Sequence, residues 1–251
     1  MGRNLAAFFG VRAVSVTRSS CNLLEQTAVD AFFERRTFKV VFHCAVCGGS
    51  RLVSDGPDVV YENLLMLETV AKHADKFEKL VYFSSGARFD RKSGSISDIP
   101  DDFYGFSKYV IEKRAASVPN MRILRIYGCF GVGEPETRFP TMCARNKLVT
   151  IQQDCYFDFV WVQDVCKAAE YYVTASLSGL PPNVNLVYRD KLKLSQVAEL
   201  AGASFELRQT GLGLAYTGTF DADFLGFAEP GLLQAGLCNL VAHFDGSRSR
   251  P

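Results

Sequence analysis

The sequence has no long hydrophobic run. A membrane-spanning helix needs about 20 consecutive apolar residues, and no stretch of the 251 residues reaches that length. Charge excess is missing too. Twenty-eight basic residues face 27 acidic ones, for a net charge of +1. That balance supplies no basic field for nucleic acid and no acidic tail. Eight cysteines are scattered without regular spacing, and no export signal precedes them. They read as reduced thiols of a cytoplasmic protein, not as a disulfide framework. The short apolar run at residues 1–10 is interrupted in its continuation by Arg12, and no small-residue cleavage site closes it. Position 6 is Ala where N-myristoylation at Gly2 would want Ser or Thr. Internal repeats and low-complexity linkers are absent. Cys44-Ala45-Val46-Cys47, with His43 before it, has C-x-x-C spacing. No second pair or nearby His completes four ligands, so no metal is expected.

What is present is a globular chain, 48% apolar, with helix and strand patterns in alternation. Residues 3–9, 27–36, 59–74 and 103–117 carry helical periodicity. Residues 13–17, 38–42, 80–84 and 121–126 read as strands. Short connections between alternating elements predict an α/β fold with a parallel sheet covered on both faces. From Gly128 the texture turns irregular, with glycines at 128, 131 and 133 and prolines at 135 and 140. Helices are expected at 163–175, 194–201 and 231–244, and strands at 184–187 and 205–208. This gives a first domain over 1–127, a smaller mixed lobe over 128–245 and a disordered tail over 246–251.

The chemistry concentrates where the strand ending Phe83-Ser84-Ser85-Gly86-Ala87 precedes Tyr104-Gly105-Phe106-Ser107-Lys108. A tyrosine and a lysine four apart share one helix face. The lysine's charge favours tyrosinate. Bringing a tyrosine from its usual pKa near 10 to neutrality takes about 3 pH units, or roughly 4 kcal/mol, so a cationic cofactor ring would have to help. Tyr109 and Lys113 repeat the spacing, but five residues on they lie about 140° round the helix and cannot face the same cleft. Tyr104 and Lys108 are preferred because they lie at a helix start just after a strand end, where ligands sit in open α/β sheets.

These residues carry a resemblance. Phe42-His43-Cys44-Ala45, Glu62-Asn63-Leu64, Phe83 to Ala87, Tyr104 to Lys108, Leu124-Arg125-Ile126-Tyr127-Gly128 and the stretch from Phe157 to Asp164 follow one another in family order. Together they resemble an extended short-chain dehydrogenase/reductase of the NAD-dependent epimerase/dehydratase type. The resemblance implies a Rossmann-like doubly wound sheet, a C-terminal nucleotide-sugar lobe and a hydride-transferring epimerase or reductase. It implies Tyr104 as acid/base, Lys108 as the residue that lowers its pKa and binds the cofactor ribose, and Ser85 as the partner of the substrate hydroxyl. Gly2, Arg18, His43, Ala45 and Asn63 fall at cofactor-side positions, and Ser85, Gly86 and Arg138 at substrate-side ones. Arg18, where NAD enzymes place an acid, favours NADP over NAD. A nucleotide sugar is the implied partner, and a homodimer through the Tyr/Lys helix and the long helix before it is in keeping with the family.

Departures qualify this. The family opens with a strand and a G-x-x-G-x-x-G turn, and Gly2 matches only the last glycine. The pyrophosphate grip should therefore be weakened. The expectation is open between a truncated product and a catalytically impaired relative acting as a binding or scaffold protein. The Gly48-Gly49 loop is similar to the GDP-fucose synthase subgroup, but Ala87 and Arg138 stand where its extra cysteine and histidine would be. Gly86 and Ala87 also replace a dehydratase acid pair, and Tyr156 an arginine common in the family.

Overall fold

The computed structural model describes residues 1–50, 53–89, 99–146 and 148–248. In chain order the elements are α1 (Gly2–Phe9), α2 (Gln26–Phe33), β1 (Phe38–His43), α3 (Asp58–Ala71), β2 (Phe77–Ser85), α4 (Phe103–Ala115), β3 (Met121–Ile126) and β4 (Cys129–Phe130). There follow α5 (Phe139–Arg145), β5 (Leu148–Asp154), β6 (Val160–Trp161), α6 (Val162–Thr174), β7 (Asn183–Asn185), α7 (Leu194–Leu200), β8 (Ser204–Leu212) and α8 (Leu232–Arg248). The chain forms two compact units. One comprises Met1–Arg125 with Ala168–Val184; the other comprises Ile126–Lys167 with Asn185–Pro251.

The first unit is built on a parallel sheet of order β1-β2-β3-β7. β1 and β2 run parallel in register from Phe38 opposite Phe77 to His43 opposite Tyr82. β2 is buried on both faces from Lys79 to Ser84, so its apolar residues run continuously, as expected of a strand covered on both sides. α1 turns Leu5 and Phe9 inward, and α2 turns Val29 and Phe33 inward. Each pair is four residues apart and so lies on one helix face. A core of Val29, Phe33, Leu67, Leu80, Tyr82 and Ile111 joins α2, α3 and α4 to the sheet. Lys79 is buried, and its Nζ donates to the Ala175 carbonyl at 2.6 Å, just past the end of α6. There a cation meets unsatisfied helix-terminal carbonyls. Burial lowers its pKa.

Ala13–Thr17 is not a strand. Among the described residues it hydrogen-bonds into no sheet, and it leaves Val14 at 64% and Val16 at 40% exposure. Apolar alternation makes a strand only where a ladder partner and a covered face exist. β1, at the end of the sheet order, pairs with β2 alone.

The second unit holds two further parallel pairs, β4 with β6 and β5 with β8. Phe157 and Phe159 stack at 4.4 Å, and Phe130 meets Trp161 at 5.2 Å. Buried Asp158 accepts from Lys191 Nζ and from the Gly218 amide, both at 2.7 Å, which fixes two loops. The irregular stretch after Gly128 therefore contains β4, α5 and β5. The helix expected to stop at 244 continues to Arg248, which replaces half of the expected disordered tail. Positions 249–251 lie outside the described residues. Among the described residues, no helix is long and apolar enough to cross a membrane.

Candidate active site

The start of α4 is tightly specified. Asp102 caps it, its Oδ1 accepting from the Gly105 amide at 2.7 Å, as N-cap aspartates do. Gly105 admits no side chain, because a Cβ there would overlap the Ala87 carbonyl oxygen and come within 2.9 Å of Pro100 Cβ. The turn after β2 is thus pressed against the residue next to Tyr104. In that turn Ser85 Oγ accepts from the Ala87 amide at 3.1 Å, and Gly86 is buried. Ser84 is turned elsewhere: its Oγ donates to Glu112 at 2.7 Å. Of the two serines, Ser85 is the one at the turn beside α4.

Tyr104 is half-buried and Lys108 is fully buried, one turn further along α4. Lys108 Nζ lies 5.4 Å from the Tyr104 ring centroid. It donates to the Tyr82 hydroxyl at 2.6 Å and reaches the Phe83 carbonyl at 3.5 Å. Burial pushes the Lys108 pKa down to about 7, partly opposed by the charge of Glu112. Burial likewise lifts the Tyr82 phenol well above its usual value, helped by Tyr104 and Glu112. Glu112 itself is bound by Arg125 through three hydrogen bonds of 2.9–3.0 Å and ion-paired to Arg88 at 3.3 Å.

A second set of bonds fixes the loop over this helix. Asn63 on α3 accepts from the Cys47 amide at 2.8 Å and donates to the Cys47 carbonyl at 3.0 Å and to Ser107 Oγ at 3.1 Å. Ser107 Oγ in turn donates to the Tyr104 carbonyl at 2.7 Å. Asp55 accepts from the Gly49 amide at 2.9 Å. Gly49 has φ +77°, and a Cβ there would sit 2.8 Å from the Tyr104 ring. Only glycine meets both demands without strain.

The remaining expected residues fall as follows. Gly2 opens α1, where a Cβ would be 3.5 Å from Cys44 Cβ, so this helix start adjoins the loop carrying Cys44 and Ala45. His43 turns inward. Its ring is buried 5.3 Å from that of Tyr82, its Nε2 pairs with the Met66 carbonyl at 3.2 Å, and burial lowers its pKa to about 4, leaving it neutral. Arg18 is exposed in a turn over 18–20. Arg138 belongs to the second unit and faces Glu134 at 4.0 Å. Tyr109 and Lys113 form a surface pair, with Lys113 Nζ 5.3 Å from the ring centroid and Arg88 at 5.3 Å.

Sequence reasoning missed Tyr82, Ser107, Glu112 and Asp55. A signal for two of them existed. Tyr82 and Ser84 share one face of β2, and Lys108 and Glu112 share one face of α4. Polar residues at matched spacings on a strand and on the helix that covers it are partners in waiting.

The structure thus brings a strand-end serine turn against a helix start that carries a tyrosine and a buried lysine. The NAD dependent epimerase/dehydratase family model matches residues 4–186, and the chain belongs to that family. A search of the curated proteins finds no match. Among solved structures, it is similar to a GDP-mannoheptose C4 reductase from Campylobacter jejuni with NADP bound, at 19% identity and TM-score 0.76, covering 98% of this chain and 94% of that one. It is also similar to a GDP-D-glycero-L-gluco-heptose synthase from the same organism in the presence of NADPH, at 17% identity and TM-score 0.77, covering 98% and 95%. A UDP-glucuronic acid 4-epimerase from Bacillus cereus, in complex with UDP-glucuronic acid and NAD, matches at 18% identity and TM-score 0.66, covering 87% and 78%. The fold is the Rossmann-like α/β architecture of these proteins.

Proposed function

We propose that the chain is a cytoplasmic NAD(P)-dependent oxidoreductase of nucleotide sugars, an epimerase or reductase acting at a sugar carbon. The observation that carries this reading is the joint placement of Tyr104, Lys108 and the Ser85 turn at one helix start, in a chain of this family.

The residues present fit a dinucleotide in part. α1 begins at Gly2 beside the Cys44 loop, and the amides of its first turn favour a diphosphate. Ala45 of that loop and the backbone of His43 would contact the cofactor, with the His43 ring committed to the interior. Asn63 holds the loop in place through Cys47. Arg18 carries a cation suited to a 2′-phosphate, which favours NADP. The bound nicotinamide would supply or accept the hydride and bring a positive ring near Tyr104.

This chain's residues do the rest. Ser85 bonds the substrate hydroxyl, and Tyr104 removes or returns its proton at the phenol oxygen. Lys108, in ammonium form, favours the phenolate and bonds the ribose. Gly86 leaves room for the sugar. Pairing of two copies through α3 and α4 completes the reading.

Titration of the chain with NADPH and NADH, followed by nucleotide fluorescence, tests it. Saturable binding below about 0.1 mM, within the range of working enzymes, is expected, with NADPH the tighter. Failure of both nucleotides to bind at millimolar concentration would overturn the proposal.

A further inference from the structure

Lys108 is 2% exposed and carries four flexible methylenes. A buried ammonium without hydrogen-bond partners is costly and poorly placed. Among the described residues, the Tyr82 hydroxyl is its one close acceptor, at 2.6 Å; the Phe83 carbonyl is 0.9 Å more distant, at 3.5 Å. The lysine also lies over the Tyr82 ring, 4.6 Å from its centroid. Tyr82 is 1% exposed and wedged between β1 and α4. Tyr82 belongs to an otherwise apolar cluster with Phe33, Leu80 and Ile111, so packing alone gives no reason for a hydroxyl at position 82.

The other groups facing Lys108 do not replace this acceptor. Glu112, on the same helix, attracts the ammonium from a distance, but its oxygens are hydrogen-bonded to Ser84 and Arg125 and ion-paired with Arg88. From β1, His43 is neutral and turned to Met66. Tyr104 presents its ring at 5.4 Å.

We infer that Tyr82 is a positioning residue for Lys108. Its hydroxyl holds Nζ beside Tyr104 and favours the ammonium form, and this rests on the proposed role of Lys108 only for its consequence in turnover. An acceptor bonded to the charged form of a group favours that form. Removing it shifts the equilibrium towards the free amine. The bond thus sets the highest pH at which Lys108 still carries its charge.

The test is Tyr82→Phe in the full chain without substrate, with Lys108 Nζ titrated by NMR on lysine-labelled protein and Lys108→Met used for assignment. Hydrogen bonds to charged groups predict a fall in the Lys108 midpoint of about one pH unit. Tyr109→Phe, which removes the hydroxyl of a half-buried tyrosine on the same helix, leaves the midpoint in place. In turnover, kcat falls about tenfold with KM little changed, and the alkaline limb of the kcat profile moves to lower pH by the same interval. An unchanged Lys108 midpoint in Tyr82→Phe, or an equal shift in Tyr109→Phe, would overturn the inference. Because the titration needs no substrate, it decides the matter even if the proposed activity fails its own test. If Tyr82→Phe does not fold, 3-fluorotyrosine at position 82, a weaker acceptor of the same shape, predicts a smaller fall, and no fall overturns the inference.

Discussion

The start of α4 and the segment before β1 contrast within one unit. Around Tyr104 every neighbouring backbone position is specified: Asp102 caps, Gly105 meets Ala87, Ser107 and Asn63 tie helix to loop, and Gly49 lies on the ring. Around Arg18 the chain is an exposed turn held by Thr17 and Ser20, and the extended residues before it pair with no strand. Both regions carry residues suited to one cofactor chemistry. One is fixed by burial and hydrogen bonds; the other is an exposed turn in which Arg18 meets solvent. Substitutions in the first should cost both stability and activity, and in the second affinity alone.

Lys108→Met should break the contrast most severely. We expect at least about a 100-fold loss of kcat. It also changes the pH dependence of folding. Lys108 has its pKa lowered from an ordinary 10.5 to about 7 in the folded state. Between those values the unfolded chain binds the extra proton, so stability rises with pH across that window and the penalty is full below it. The wild type should therefore gain a few kcal/mol from this group between pH 7 and 10, and Lys108→Met should lose that rise, as measured by denaturant midpoints.

Asn63→Leu comes next. It strands the Cys47 amide and carbonyl and removes the donor to Ser107, and buried unsatisfied groups predict a loss of about 2–4 kcal/mol. Equal midpoints for wild type and variant would show that the loop does not depend on this side chain. Gly49→Ala should cost about 1–2 kcal/mol from positive φ, with a further loss of turnover because the methyl displaces the Tyr104 ring. Smallest is Arg18→Ala. Melting should not move, since Arg18 is exposed, while any preference for NADPH over NADH should shrink by up to about tenfold. A large stability loss there would erase the distinction between the two regions.

The parts legible in the sequence were those that local rules determine. β3 and α4 follow from strand and helix periodicity, and helical phase separated Tyr104 and Lys108 from Tyr109 and Lys113. Ala13–Thr17 was misjudged because alternation says nothing about whether a neighbour is available. β4 and β6, two residues each, are set by partners about 30 positions apart, and β5 pairs with β8 more than 50 positions away. No local window contains such pairings. Tyr82 was read only as part of the strand over 80–84, and its hydroxyl has meaning only once α4 lays Lys108 across β2.

The central claim is that Tyr104 moves the proton in a hydride transfer on a nucleotide sugar. NADPH consumption with nucleotide 4-keto sugars, compared between wild type and Tyr104→Phe, tests it most directly. The account predicts turnover in the wild type and a loss of about 1,000-fold in the variant, with melting temperature and NADPH affinity retained. Equal turnover in the two proteins would contradict it.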